Sequence, residues 1–213
     1  MRNINFLDRI LLELDSALRT VAPPKRRVCS RENPANTQVQ APLSPTEKRH
    51  VAGLMRVNHA GEVCAQALYR GQAATAKLVH VRAQMIESAL EEIDHLAWCE
   101  QRLDELHQHT SYLNPFWYAG SWMIGVFAGL AGDAWSLGFV VETEKQVTAH
   151  IEQHLKQLPS DDKKSAAILT QMKTDEMAHA TIAEQAGAKV LPALIRGAMY
   201  AISKVLTKSS YHL

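Results

Sequence analysis

The sequence predicts an all-α protein, because its apolar residues recur at spacings of three and four and its β-branched and aromatic residues form no alternating runs. A chain of 213 residues, 46% of them hydrophobic, is long enough for one domain with a substantial core. The formal net charge of +1 lacks the basic excess of a nucleic-acid-binding protein. Cys29, Cys64 and Cys99 form no CxxC pair, so we expect free thiols in a reducing compartment.

The first 43 residues are predicted to form an N-terminal arm and a linker. Residues 3–20 are amphipathic, with apolar positions at Ile4, Phe6, Leu7, Ile10, Leu11, Leu14 and Leu18. Such an arm can pack on the body of the protein or on a membrane. Residues 22–43 contain four prolines among polar residues and are expected to lack secondary structure. We therefore divide the chain into an amphipathic arm with a Pro-rich linker over 1–43 and a helical domain over 44–213.

Five long helices are predicted in the domain over 44–213. The first begins at a capping box, with Ser44 as the N-cap, Pro45 at the first helical position and Glu47 at the third, and should run to about residue 80. The second should end near residue 108, and the third should span 132–157. The fourth should begin near Ser160, which two aspartates follow, and the fifth should occupy 188–207.

One pattern, a lone glutamate followed by a Glu-x-x-His pair, occurs twice in these helices. The first copy is Glu62 with Glu92 and His95, and the second is Glu144 with Glu176 and His179; the lone glutamate precedes the paired one by 30 and 32 residues. Residues three apart share a face of a helix, so each pair offers one metal ion an oxygen and a nitrogen ligand. Four carboxylates and two imidazoles are the ligand set of ferritin-like di-iron and di-manganese bundles. The sequence therefore predicts a ferritin-like four-helix bundle.

Each of the six residues alone has an ordinary explanation, because a carboxylate on an apolar stripe is usually a boundary residue whose head reaches water. Six together, at the centre of four helices, are costly to bury unless cations neutralise the carboxylates. On the third helix Glu144 lies on the apolar stripe and Glu142 points away, so we choose Glu144. Four neighbours have two interpretations each. His59 and Tyr69 could lie at the metal site or be core residues, and Asp94 could hold an imidazole N–H or be solvated. His150 could lie beside the ligands or have no role there.

At these residues the chain resembles the di-iron demethoxyubiquinone hydroxylases of ubiquinone biosynthesis. The most specific part is the run Arg56-Val57-Asn58-His59-Ala60-Gly61-Glu62, and the resemblance covers about residues 45–213. It implies hydroxylation of a demethoxyubiquinol, a polyprenyl benzoquinol, with O2. It also implies two iron ions held by Glu62, Glu92, His95, Glu144, Glu176 and His179. Family members can carry a His-His pair on the third helix, where this chain has Ala149-His150.

Two segments predict contact with a membrane surface, where a polyprenyl substrate would reside. Residues 110–132 are uncharged and rich in aromatic residues, and their length is about that of a membrane span. A span would place the two copies of the motif on opposite sides of the bilayer, so we expect an interfacial segment. Residues 185–213 contain no acidic residue and predict a basic amphipathic helix that meets anionic lipid. The alternative is that both segments are core or dimer surface.

The predicted fold is thus a ferritin-like four-helix bundle with additional membrane-facing helical segments, peripheral to the cytoplasmic face of a bacterial-type cell membrane. The chain has no GxGxxG motif after a strand, so an external two-electron donor or the quinol itself must supply electrons. Other proteins of ubiquinone biosynthesis and a second copy of the chain are further candidate partners. The competing functions are a ferritin- or rubrerythrin-like iron-binding or peroxide-scavenging protein and a helical scaffold without chemistry. The first does not need the membrane-facing segments, and the second does not need the metal ligands.

Overall fold

The computed structural model of the protein describes residues 6–24 and 27–213. These residues form seven α-helices and one short 3-10 turn, Pro34–Thr37, with no strand among them. The helices are α1 (Phe6–Val21), α2 (Pro45–Thr75), α3 (Val79–Glu105), α4 (Asn114–Leu130), α5 (Asp133–Gln157), α6 (Lys163–Gln185) and α7 (Ala193–His212). The predicted all-α fold is confirmed. Ile4 and the side chain of Phe6, which belong to the predicted amphipathic arm, lie outside what the structure describes.

A bundle of α2, α3, α5 and α6 carries the core, with α2 packed against α3 and α5 against α6. One apolar cluster takes a residue from each of the four helices, among them Met55, Trp98, Ile151 and Met172. A second cluster does the same with Tyr69, Met85, Val140 and Ala183. On every helix the residues of the doubled motif lie, in sequence, between the residues of these two clusters. The motif residues therefore occupy a middle layer that apolar packing closes at both ends.

The segments predicted to face a membrane form two additional helices, α4 and α7, that pack against α2 and α5. Large apolar side chains are exposed on both helices, among them Phe116 and Phe127 on α4 and Leu194 and Val205 on α7. Of the helices in the described ranges, none has the length and apolar character that a membrane span needs. The uncharged segment over 110–132 contains a 17-residue helix, α4, on the side of the bundle.

Helix α4 approaches α2 closely because glycines form the contact. A Cβ added at Gly125 would lie 2.2 Å from the carbonyl oxygen of Leu68, and one at Gly129 would lie 2.0 Å from Oγ1 of Thr75. Real Cβ atoms do not come so near, so any larger residue at these positions would push the helices apart. The glycines hold α4 directly against the helix that carries Glu62.

Several predicted boundaries and one predicted loop differ from the structure. The first long helix ends at Thr75, and the last runs over Ala193–His212, five residues later than predicted. Helix α6, which corresponds to the fourth predicted helix, is capped by Asp162, whose side chain accepts a hydrogen bond from the Ser165 amide; Ser160 lies outside the helix. The linker predicted without secondary structure contains the 3-10 turn, because Asn33 caps it and Ala35 is buried against the bundle.

We predict that Gly125→Ala destabilises the protein by about 1–3 kcal/mol, because the added methyl group would overpack the contact between α2 and α4. Gly120→Ala on the same helix is the matched control, since a Cβ there meets nothing within 4 Å. The control should raise the free energy of unfolding by about 0.5–1 kcal/mol, because alanine has a better helix propensity than glycine. Urea unfolding of both variants checks the difference; equal stabilisation by both would show that the close contact does not exist.

Candidate metal centre

The four helices of the bundle bring all six predicted ligands together in its middle layer. Glu62 comes from α2, Glu92 and His95 from α3, Glu144 from α5, and Glu176 and His179 from α6. All six side chains are buried, and no residue of the set is more than 4% exposed. They form two groups whose candidate ligand atoms lie within 4.8 Å of one another: Glu62, Glu92, His95 and Glu176 in one, and Glu144, Glu176 and His179 in the other.

The first group is arranged around the Nδ1 atom of His95. This nitrogen lies 3.0 Å from Oε2 of Glu92, 3.3 Å from Oε1 of Glu176 and 3.6 Å from Oε2 of Glu62. Three carboxylates from three helices thus converge on one imidazole nitrogen. A cation among these oxygens would take Nδ1 as its nitrogen ligand.

The second group repeats this arrangement around Nδ1 of His179. That nitrogen lies 3.2 Å from Oε2 of Glu176 and 3.6 Å from Oε1 of Glu92. Glu144 completes the group, and the Tyr69 hydroxyl donates a hydrogen bond to its Oε1. Glu92 and Glu176 each face both histidines, so their carboxylates lie between the two imidazoles.

The outer nitrogen of each histidine is held by an acidic residue of the opposite helix. Nε2 of His95 lies 2.9 Å from Oδ2 of Asp175, and Nε2 of His179 is hydrogen-bonded to Oε2 of Glu91. An Nε2–H that donates to a carboxylate leaves Nδ1 free to bind a metal, which fixes the tautomer and the ring orientation. Sequence reasoning missed Asp175 and Glu91. Each of them is visible in the sequence as the acidic residue that directly precedes the glutamate of a Glu-x-x-His pair.

The structure decides the role of the four neighbours that had two interpretations. Tyr69 lies at the site, on Glu144. His59 is a satisfied core residue, with Nε2 3.1 Å from Glu100 Oε1 and Nδ1 3.3 Å from Asn114 Nδ2. Both suggestions for Asp94 are wrong. It is buried, and its carboxylate binds Ser30 and Arg31 on the outside of α3 and contacts no imidazole of the described residues.

Among the described residues, neither His150 nor Glu142 forms a hydrogen bond or ion pair with the six clustered residues. Nε2 of His150 is buried without a hydrogen-bond partner among the described residues, and the ring packs against His154 with centroids 3.9 Å apart. Burial lowers the pKa of His150 to about 4, so this imidazole is neutral at physiological pH. Glu142 accepts a hydrogen bond from Gln146. The predicted choice of Glu144 over Glu142 agrees with where the structure places the two side chains.

Burial and mutual repulsion change the pKa values of the clustered carboxylates. Both raise the pKa of Glu92 and of Glu144 well above the ordinary range of a glutamate. At Glu176 burial alone would raise the pKa, but hydrogen bonds from His179 and His95 outweigh burial and lower it. At His179 burial alone would lower the pKa, but the hydrogen bond with Glu176 and the charges of Glu176 and Glu144 outweigh burial and raise it to about 9. The cluster thus concentrates negative charge in an apolar layer where ionisation is costly.

This donor set fits two divalent cations. Oε1 of Glu92 and Oε2 of Glu144 are buried and have no hydrogen-bond partner among the described residues, which is unusual for carboxylate oxygens in a protein core. Four carboxylates would balance the charge of two divalent ions. Carboxylate and imidazole ligands suit iron or manganese and are too hard for copper(I).

A cavity of about 160 Å³ lies beside this cluster and reaches from Glu62 to the outer helices. Its inner wall includes Glu62 and His150, and its outer wall includes Ile124 of α4 and Met199 and Ile202 of α7. Most of the lining side chains are apolar. The cavity therefore connects the buried carboxylates with the two helices whose apolar side chains are exposed.

Comparison with known proteins agrees with this geometry. The family model for ubiquinone biosynthesis protein COQ7 matches residues 49–210. The chain is 57% identical to the 3-demethoxyubiquinol 3-hydroxylase of Legionella pneumophila (strain Corby) and 54% identical to that of Acinetobacter baumannii (strain SDF). Both alignments cover 213 residues, which is the full length of each chain. The chain therefore belongs to the ubiquinone biosynthesis protein COQ7 family.

Proposed function

We propose that the protein is a di-iron monooxygenase that hydroxylates a demethoxyubiquinol with O2 in ubiquinone biosynthesis. The observation that carries the proposal is the convergence of four glutamates and two histidines next to an apolar cavity. The names of the relatives support the substrate and the reaction. In this reaction one oxygen atom of O2 enters a ring C–H bond as a hydroxyl group, and the other leaves as water. The balance requires two electrons and two protons from an external donor.

The proposed metal ligands are Glu62, Glu92, His95, Glu144, Glu176 and His179. When bound, a pair of iron ions supplies the redox chemistry that activates dioxygen. The chain's own residues hold the geometry: Glu92 and Glu176 lie between the two positions, and Asp175 and Glu91 orient the histidines. The Tyr69 hydroxyl holds a proton against Glu144, so it can keep that carboxylate oriented toward the metal. Packing at both ends of the layer excludes bulk water.

The cavity is the proposed site for the quinol head group. Glu62 lines its inner end, so a ring placed there would lie next to the metal ligands. Its outer wall is formed by α4 and α7, which suggests that the polyprenyl tail leaves between these helices. A polyprenyl tail is too apolar to leave the bilayer, so the mouth must open where the protein meets lipid.

We propose that α4 and α7 form the membrane-binding surface of a peripheral protein. Phe116 is 76% exposed and Phe127 68% exposed on α4, and Leu194 and Val205 are exposed on α7. The chain after Gln185 carries lysine and arginine but no acidic residue, which suits the anionic lipids of a cytoplasmic leaflet. An iron-storage or peroxide-scavenging function, the alternative from sequence, would need neither this surface nor the cavity behind it.

Removing single ligands tests the metal centre. Glu62→Ala, Glu92→Ala and His179→Ala should each abolish hydroxylation and weaken iron binding by more than the ~10–100-fold that loss of an outer partner costs. Glu142→Ala is the matched control for Glu144→Ala, because both glutamates lie on α5 but the Glu142 carboxylate accepts a hydrogen bond from Gln146 and none from the clustered residues that the structure describes. Iron content and turnover are measured on the same samples. Loss in Glu142→Ala with none in Glu144→Ala would show that the wrong glutamate was chosen.

Removing the metal should lower the melting temperature, and the loss should grow with pH. In metal-free protein the pKa values of Glu92 and Glu144 are raised, so the folded chain holds extra protons and loses stability as pH rises above the ordinary glutamate value of 4.5. The pKa of His179 is raised to about 9, so this residue also makes the stability of the metal-free protein fall as pH rises. Metal binding strengthens with pH because it needs deprotonated ligands.

Melting curves of iron-loaded and chelator-treated protein at about pH 5.5 and about pH 8 check this expectation, with ~2–4 °C expected per kcal/mol. The difference between the loaded and the metal-free protein should be larger at the higher pH. A difference that vanishes at the higher pH would contradict a buried carboxylate site for metal.

Charged substitutions test the lipid-facing surface. Phe116→Asp with Phe127→Asp, or Val205→Asp alone, should reduce binding to anionic liposomes and turnover of a long-tailed quinol. Trp122 is unsuitable for this test because it is half-buried and packs against the apolar cluster that contains Val63 and Tyr118. Activity on a short-tailed, water-soluble analogue should survive because the metal ligands are untouched.

Ile182→Asp is the matched control for these variants. Ile182 is 49% exposed on α6, a helix that packs against α3 and α5. It should bind liposomes as well as the parent protein does. Unchanged liposome binding by the α4 and α7 variants would refute the membrane surface and favour a core or dimer contact.

A further inference from the structure

The segment over residues 27–33, here called the strap, is tied along the outside of α3. Arg27 donates from Nε to both carboxylate oxygens of Glu100 at 2.9 Å. The backbone amide and the hydroxyl of Ser30 donate to Asp94 at 2.8 and 2.7 Å. These contacts position the strap behind His95, on the side away from the clustered carboxylates.

Arg31 of the strap connects α3 with α6. Its Nε donates to Oδ2 of Asp94 at 3.1 Å, and its Nη1 donates to Oδ2 of Asp175 at 2.8 Å. The guanidinium carbon also lies 4.9 Å from the centre of the Trp98 ring. One cation thus lies between two carboxylates that would otherwise repel each other across the helices.

The partner that matters most is Asp175, because it also holds a proposed metal ligand. The same Oδ2 atom that accepts from Arg31 lies 2.9 Å from Nε2 of His95. Gln171 donates to the other oxygen, Oδ1, at 2.9 Å. Arg31, Asp175 and His95 therefore form a chain of charge-assisted hydrogen bonds that ends on the imidazole whose Nδ1 faces three glutamates.

The other half of the centre has no such support. Glu91, which holds Nε2 of His179, is 45% exposed at its side chain. Among the described residues, no lysine or arginine forms an ion pair with Glu91. The two copies of the motif are alike in sequence, but one histidine is backed by a fixed ion network and the other by a partly solvated carboxylate.

We propose that Arg31 is a positioning residue for the His95 half of the metal centre. By holding Asp175 against Nε2 of His95, it keeps Nδ1 aimed at Glu62, Glu92 and Glu176, and it makes the His95 position the tighter of the two metal sites. The inference rests on the proposed di-metal function. It assigns a role in metal binding to the segment before the bundle, outside the doubled motif.

Stepwise metal affinities test the inference without relying on enzyme activity. Chelator-treated full-length protein is titrated calorimetrically with Co(II), and wild type should bind two equivalents. Arg31→Gln should weaken the tighter step by at least ~10-fold, as for other outer partners of metal-bound histidines, and should affect the second step less. Arg31→Lys should restore part of the loss because it keeps the positive charge. Arg19→Gln is the matched control, since Arg19 is 70% exposed and pairs with Asp15 of its own helix.

A double-mutant cycle tests whether Arg31 acts through Asp175. Asp175→Asn should weaken the same step, and adding Arg31→Gln to it should cost little more, because residues that act in series are not additive. Proton NMR of the Co(II)-loaded protein gives a second measurement. Arg31→Gln should shift the exchangeable Nε2–H signal of one metal-bound histidine, the one that Asp175→Asn also shifts, and leave the other signal in place.

The outcomes separate this inference from the proposed function. Wild type that binds no pair of metal ions would overturn both. Two metal ions in wild type, with Arg31→Gln leaving both steps and both N–H signals unchanged, would overturn the role of Arg31 alone. Equal weakening of both steps, or full additivity with Asp175→Asn, would also overturn it, since Arg31 would then act on the fold as a whole.

Discussion

The structure depends on one constraint, which is that four carboxylates in the middle of an apolar bundle cannot all stay ionised without cations. Taking several charges out of water costs far more than a typical net stability of 5–15 kcal/mol, unless partners compensate. Two imidazoles and one tyrosine hydroxyl provide part of that compensation. The raised pKa values of Glu92 and Glu144 show that the remainder is missing from the protein's own groups. Two divalent metal ions would supply it, and a metal centre and the fold would then stabilise each other.

The arrangement that meets this constraint is nearly two-fold symmetric. Each Glu-x-x-His pair presents Nδ1 inward, and the acidic residue before the opposite pair holds Nε2. Because of this crossing, α3 and α6 orient each other's histidines. The surroundings of the two halves differ. The cavity is lined by Glu62 of the first half, and Arg31 binds the carboxylate that holds His95. Substrate access and metal affinity are therefore expected to differ between the two halves.

The sequence predicted the parts of the site that repeat along single helices. Helical periodicity placed Glu62, Glu92, His95, Glu144, Glu176 and His179 on inward faces, and the structure brings all six together. The choice between Glu142 and Glu144 followed from the apolar stripe of one helix alone. The capping box at Ser44 was also visible, because its hydrogen bonds lie within four residues.

Contacts between helices could not be predicted in this way. Asp175 and Glu91 depend on the register of α3 against α6, which no single-helix pattern contains. Asp94 was misjudged because its partners, Ser30 and Arg31, come from a Pro-rich segment that was expected to be an unstructured linker. Trp122 lies in the segment predicted to face lipid, but it is half-buried against the apolar cluster that Ala17 and Val21 of α1 also contact.

The central claim is that six residues of one chain bind two iron ions at the middle of the bundle. Anomalous diffraction from crystals of the iron-loaded protein, measured at the iron absorption edge, tests it most directly. The account predicts two iron peaks per chain about 3.5–4 Å apart, as in other two-metal sites, with one near Nδ1 of each histidine. A single peak, or peaks outside the layer that contains Glu92 and Glu176, would contradict it.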